Sequence, residues 1–215
     1  MSFGNGPSAR DAVDGYGGSL PLPDRFQHLL KLIGSERFLK MQGLGNEVPF
    51  FICPFPPQEA VAMEQMAGQL ANRLGSDGVR VLAINLYDLC IELLTARGIW
   101  EQVLEAEPAV SKAELMELLQ GVLDPEQHLV PAIATKMAAQ AFDVLFLTGV
   151  GEVFPYIRSH NVLNNLQSTA KARPTVLFFP GRYTQSLEQG ASLDLFGVLQ
   201  DDKYYRAFNI FRVQP

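Results

Sequence analysis

Apolar residues along this chain follow two rhythms, a spacing of three or four and short unbroken runs, and the two alternate. Phe26, Leu29, Leu30 and Ile33 follow Asp24 at helical spacing, which predicts an opening amphipathic helix with Asp24 as N-cap and an end near Gly34. The run VPFFIC over 48–53, bounded by Pro54, Pro56 and Pro57, is too short for a buried helix and predicts a strand. Met63, Met66, Ala67, Leu70 and Leu74, with Gly75 beyond them, predict a helix and its stop. VRVLAINLY over 79–87 predicts the second strand, and Leu89, Cys90, Leu93 and Leu94 return to helical spacing. From Ile99 to about Gln140 the pattern stays helical. Ser111 and Glu114 form a capping box there, and Asp124-Pro125 and Pro131 punctuate the second half of the stretch.

DVLFLTGV over 143–150 is almost wholly apolar, as expected of a central parallel strand covered on both faces. A helix is predicted over 154–166, and PTVLFFP over 174–180 is a second such strand. Leu193, Leu195 and Phe196, then Phe208, Ile210, Phe211 and Val213, predict one or two short edge strands. Strands alternating with helices imply an α/β fold with a mainly parallel sheet covered by helices on both faces, and a helical insertion, about 99–140, between strands 2 and 3.

A chain of 215 residues with a hydrophobic fraction of 47% supports one core, so residues 21–215 are expected to form a single domain. Residues 1–20, rich in Gly, Ser and Pro and without periodicity, are expected to be a disordered tail. They lack the basic start and apolar stretch of a signal peptide. No segment reaches the roughly 18 apolar residues of a membrane span, so a cytoplasmic protein is expected.

The net charge of −6 argues against binding nucleic acid through a globally basic surface. Its distribution is uneven. Glu101, Glu105, Glu107, Glu114, Glu117, Asp124 and Glu126 face Lys112 alone, whereas Lys136, Arg158, Lys171, Arg173 and Arg182 outnumber Asp143 and Glu152. Such runs are solvated helix faces or a bipolar docking surface. Cys53 and Cys90 lie in apolar stretches far apart, with no second pair for a metal site, and read as buried thiols.

No catalytic, metal or phosphate-binding motif is complete. Gly149 and Gly151 precede the predicted helix, whose N-terminus could hold an anion. However, there is no Gly-Lys-Ser/Thr and no third glycine at dinucleotide spacing, and a tight turn explains both glycines. His28, His128 and His160 fall on three different elements, which gives zinc little support. Arg158, His160, Asn161, Asn164 and Asn165 crowd one helix with poor helix formers. Either they form a recognition surface, or Asn161 and Asn164 lock neighbouring loops inside the fold. Asp201 and Asp202 beside Lys203, Tyr204, Tyr205 and Arg206 lack a third metal ligand. Their Tyr and Arg content is that of interface hot spots.

RFQHLLKLIGSERFLKMQGLGNEVPFFICPF, FLTGVGEVFPYIRSHNVLNNLQ, PTVLFFPGRYTQSLEQGASLDLFG and DDKYYRAFNI, taken together over Asp24 to Ile210, resemble the BrxB family of the BREX phage-defence systems. The resemblance implies a small component of a multi-protein machine that distinguishes methylated host DNA from phage DNA. It assigns no activity, catalytic residue or cofactor, and it implies association with PglZ, a subunit that carries its own metal site. The expectation is therefore a non-catalytic, PglZ-binding adaptor. Its candidate contacts are Arg158, His160, Asn161, Asn164, Asn165, Arg182, Tyr204, Tyr205 and Arg206. The rival expectations are a degenerate nucleotide-binding domain, which nucleotide would stabilise, and a DNA-contacting subunit with salt-sensitive binding.

Overall fold

The computed structural model describes residues 20–43, 49–186, 190–197, 199–200 and 207–214. Most of the expected tail lies outside the described residues. Helix α1, Leu22–Ile33, begins two residues before Asp24, because Pro23 in its first turn has no N–H to leave unbonded. Asp24 therefore sits in the first turn, where its carboxylate favours the positive end of the helix. After the short α2, Glu36–Leu39, strand β1 spans Phe50–Phe55, past the expected end at Cys53. Its neighbour β7, Ala207–Asn209, pairs only with Phe50 to Ile52, so Pro54 lies where β1 has a partner on one side and one N–H can be spared.

A 3-10 turn, Pro57–Glu59, leads into α3, Ala60–Ser76. Strand β2 is Val81–Asn85, shorter than 79–87, and the cause is a side chain. The Asn85 Oδ1 accepts from the Tyr87 and Asp88 amides at 2.8 and 3.3 Å, capping α4, Leu86–Ala96. The connection to β3 continues through α5, Trp100–Ala106, and α6, Lys112–Val122. A π-turn, Pro125–Leu129, and α7, Val130–Ala139, complete it. At the start of α6 the Ser111 amide donates to Glu114 Oε2 at 2.8 Å and the Glu114 amide to Ser111 Oγ at 3.3 Å, the expected capping box. Strand β3 is Val144–Thr148 and α8 is Ser159–Leu166.

Strand β4, Thr175–Ser186, runs well beyond Pro180. From Gly181 onward it pairs antiparallel with β5, Gly190–Leu195, which pairs in turn with β6, Leu199–Gln200. The main sheet has the order β2-β3-β4-β1-β7 and every pairing along it is parallel. Alternate residues of each strand serve opposite layers. Phe51, Cys53, Phe146, Val176 and Phe178 pack against α1 and α3. Ile52, Leu82, Leu145, Leu147 and Leu177 pack against α4, α7 and α8. The fold is thus α/β, with a mainly parallel sheet between two helical layers, and its middle strands lack alternation because both faces are buried.

Cys53 and Cys90 are buried and free in opposite layers, and burial pushes both thiols up to about 12. At the amino ends of β2 and β3, Arg80 Nε and Nη2 donate to Asp143 at 2.9 and 2.7 Å, and the Arg80 amide adds a third bond at 2.9 Å. These bonds hold the Asp143 carboxyl at about 2, below its ordinary 3.8. A depressed folded-state value stabilises the fold above about pH 4, and the gain disappears as pH falls towards about 2. Arg80 is 57% exposed, so solvent screens the pair and its contribution to stability is small. Urea unfolding between pH 5 and 2 should show the wild type losing slightly more stability than Asp143→Asn. Parallel loss in both proteins would remove the pair from the acid response.

Candidate functional site

Open α/β sheets place their ligands beyond the carboxyl ends of the strands, and here three strand ends converge. β1 passes through Pro56 and Pro57 into α3, β3 opens into an irregular segment over 149–158, and β4 rises into its hairpin with β5. Phe196, with φ of 54°, is fastened over this end by its amide, which donates to Pro180 O at 2.9 Å. Its ring meets Phe154 edge-on at 6.1 Å. The result is a cavity of about 260 Å³ walled by Phe55, Met63, Val150, Phe178, Pro180 and Phe196, with Glu64 and Glu152 also in the lining. Desolvation, reinforced by the carboxylates of Glu64 and Asp88, raises the Glu152 carboxyl above its ordinary value.

The two glycines of this end have packing reasons. Gly149 has φ of 75°, and a Cβ there would collide with the capping amide oxygen of Asn85. A Cβ on Gly151 would come within 3.0 Å of Pro180 and 3.2 Å of Phe196. Helix α8 begins at Ser159 rather than directly after the glycines, because residues 150–158 form turns around Pro155. The expected helix over 154–166 is shortened accordingly, and the glycines do not open its N-terminus.

Helix α8 buries Ser159, Val162, Leu163 and Leu166 and turns its amides outward. Arg158, at its N-cap, and Asn161 and Asn164 are exposed, while His160 and Asn165 are half-buried. At spacings of three and four, Arg158, Asn161, Asn164 and Asn165 share one side of the helix. The Asn165 Nδ2 donates back to Asn161 O at 2.8 Å, and the Gln167 Nε2 donates to Asn164 Oδ1 at 3.4 Å. Asn161 and Asn164 thus lie at the surface. Arg182 stands apart from this helix, on β4 opposite Asp194 in the hairpin register, and is half-buried. Tyr204, Tyr205 and Arg206 lie outside the described residues.

The acidic block is displayed on the surface. Glu101, Glu105 and Glu107 on and after α5, Glu117 on α6 and Glu126 in the π-turn are exposed, and α6 buries no residue fully. Two acids of the block have local duties. Glu114 closes the capping box, and Asp124 Oδ1 accepts from the Gln127 amide at 2.8 Å. Sequence reasoning missed one buried cation. Arg25 on α1 is 4% exposed, with its Nη2 2.6 Å from Glu59 Oε2 and its Nη1 3.9 Å from Met63 Sδ. Its helical neighbours gave the only signal, since position 25 precedes the apolar stripe directly.

Among the described residues no group of three or more His, Cys, Asp or Glu is gathered in metal-binding proximity. His28 instead stacks on Phe211, ring centres 5.9 Å apart. No described helix is long and apolar enough to cross a membrane.

Comparison with known proteins places this arrangement. The family model described as BREX protein BrxB matches residues 82–210. A BREX protein BrxB of Bacillus cereus strain H3081.97 is 33% identical over 190 residues, spanning 87% of this chain and 96% of that one. Another from Escherichia coli O9:H4 strain HS is 30% identical over 186 residues, spanning 86% and 90%. No solved structure matches. Similarity of this extent, running through the parallel sheet, α8 and the hairpin alike, means that the chain belongs to the BrxB family.

Proposed function

We propose that this protein is a non-catalytic adaptor of a phage-defence complex that binds the PglZ subunit. Family membership makes it a BREX system component. The observation that carries the adaptor reading is the outward row of Arg158, Asn161 and Asn164 on α8. The exposed asparagines are poor helix formers, and a cation flanked by amides suits a polar partner surface. The exposed acids of α5 and α6 supply a second surface of opposite sign, suited to another subunit. Arg182, Tyr204, Tyr205 and Arg206 remain further candidate contacts.

The test is co-purification with the cognate PglZ at several salt concentrations, followed by sizing. A stable complex is expected, and Arg158→Glu and Tyr205→Ala variants, shown to be folded, should each weaken it by about tenfold or more. Variants that keep full binding would remove this choice of surface. Absence of a complex at every salt concentration would sink the adaptor reading. Stabilisation by millimolar nucleotide, or salt-sensitive DNA binding, would then favour a nucleotide-binding or DNA-contacting subunit.

A further inference from the structure

The cavity beyond β1, β3 and β4 combines two properties that rarely serve folding alone. Its wall is apolar, and the charged side chains in its lining are both acids, Glu64 and Glu152. Both are exposed, and among the described residues neither has a cation within ion-pair distance. Asp88 adds a third negative charge close enough to act on Glu152. The cation packed behind the wall, Arg25, is already paired with Glu59. Neighbouring carboxylates over apolar surface repel one another, and a cation entering between them relieves that repulsion.

Size narrows the occupant. A volume of about 260 Å³ is below the range of typical small-molecule and cofactor sites, roughly 300–1,000 Å³, and suits one long side chain. Thr148 is the one further polar side chain in the lining, too little to orient a metabolite. Phe196, 38% exposed, offers a ring at the mouth against which a guanidinium can stack.

We propose that this cavity receives an arginine or lysine side chain from a partner protein, its stem against Met63, Phe178 and Phe196 and its head between Glu64 and Glu152. The proposal rests on the adaptor reading for the source of that side chain, but not for the chemistry of the pocket. The two are tested separately.

The pocket is tested on the full chain with n-butylguanidinium as probe and uncharged n-butylurea as control, following the Met63 methyl resonance. Saturable shifts are expected with the cation in the millimolar range. Affinity should be about fivefold weaker for the urea, and about fivefold weaker for the cation in a Glu64→Gln/Glu152→Gln double variant. No saturable shift, an equal response to the urea, or an undiminished response in the variant would each overturn the proposal. The source is tested with Ala60→Trp, which fills the exposed start of α3 at the cavity wall. This variant should lose the probe response and weaken the PglZ complex. An intact complex with the probe response lost would overturn the partner side chain as occupant. A wild-type protein that binds the probe but no PglZ would count against the adaptor reading and the occupant, leaving the pocket chemistry standing.

Discussion

Alanine at position 146 is expected to lower the unfolding free energy by about 3–5 kcal/mol, the range for emptying a packed aromatic site. Phe146 is 0% exposed at the middle of β3. It packs in the layer with α1 and α3, and its ring lies 5.3 Å from that of Phe178 at 65°. Strands on both sides fix the backbone around it, since Phe146 pairs with Ala83 of β2 and Val176 of β4. The site therefore has little freedom to collapse into the cavity. Denaturant titration measures the loss, and Phe146→Leu should recover about half of it. A cost below about 1 kcal/mol would mean that the helical layer does not bear on this strand as described.

The second large effect concerns Gly149. Replacing it with alanine is expected to cost about 2–3 kcal/mol, combining a left-handed backbone that disfavours a Cβ with displacement of the Asn85 cap. Gly98 supplies the control. Its φ of 68° is close to the 75° of Gly149, yet a Cβ there would meet nothing within 4 Å. Gly98→Ala should therefore report the backbone contribution alone, about 1 kcal/mol. Equal losses in the two variants would show that the close approach to Asn85 contributes nothing. The comparison bears on function as well, because the close approach to Asn85 accounts for the glycine after β3 without a phosphate.

Local signals carried much of the fold into the sequence. Unbroken apolar runs marked β1, β3 and the first half of β4, since these strands are buried on both faces and have no solvent side to encode. Ser111 and Glu114 gave the start of α6 because a capping box is completed within four residues. Boundaries failed where a single side chain overrode a run. Asn85 turned an apparently continuous strand into a helix cap, and a better weighting of Asn before Leu86 would have found it. The second half of β4 was hidden because Arg182, Tyr183 and Thr184 acquire their pairing from β5, which no local pattern specifies.

The site was legible only in pieces. The polar crowding on α8 was visible because unfavourable helix residues stand out, and its outward face follows from helical spacing against Val162, Leu163 and Leu166. The cavity was invisible. It is assembled from the end of β1, the start of α3, the loop after β3 and the turn at Phe196, and its construction depends on the strand order. Parallel neighbours are chosen by long-range packing, so β4 lying beside β1 could not be read from either run.

The position of β1 also bears on how the chain is made. Its two partners are β4 and β7, whose residues 175–180 and 207–209 leave the ribosome long after 50–55. Until then β1 has no strand neighbour, and the α3 segment can gather only part of its layer. Helices α1 and α3 can cluster early around Leu29, Met63 and Leu70, but sheet assembly must await late synthesis. Translation of this chain therefore exposes an apolar, unpaired strand for most of its duration, a window in which nascent-chain chaperones, or a partner subunit already present, would find their substrate.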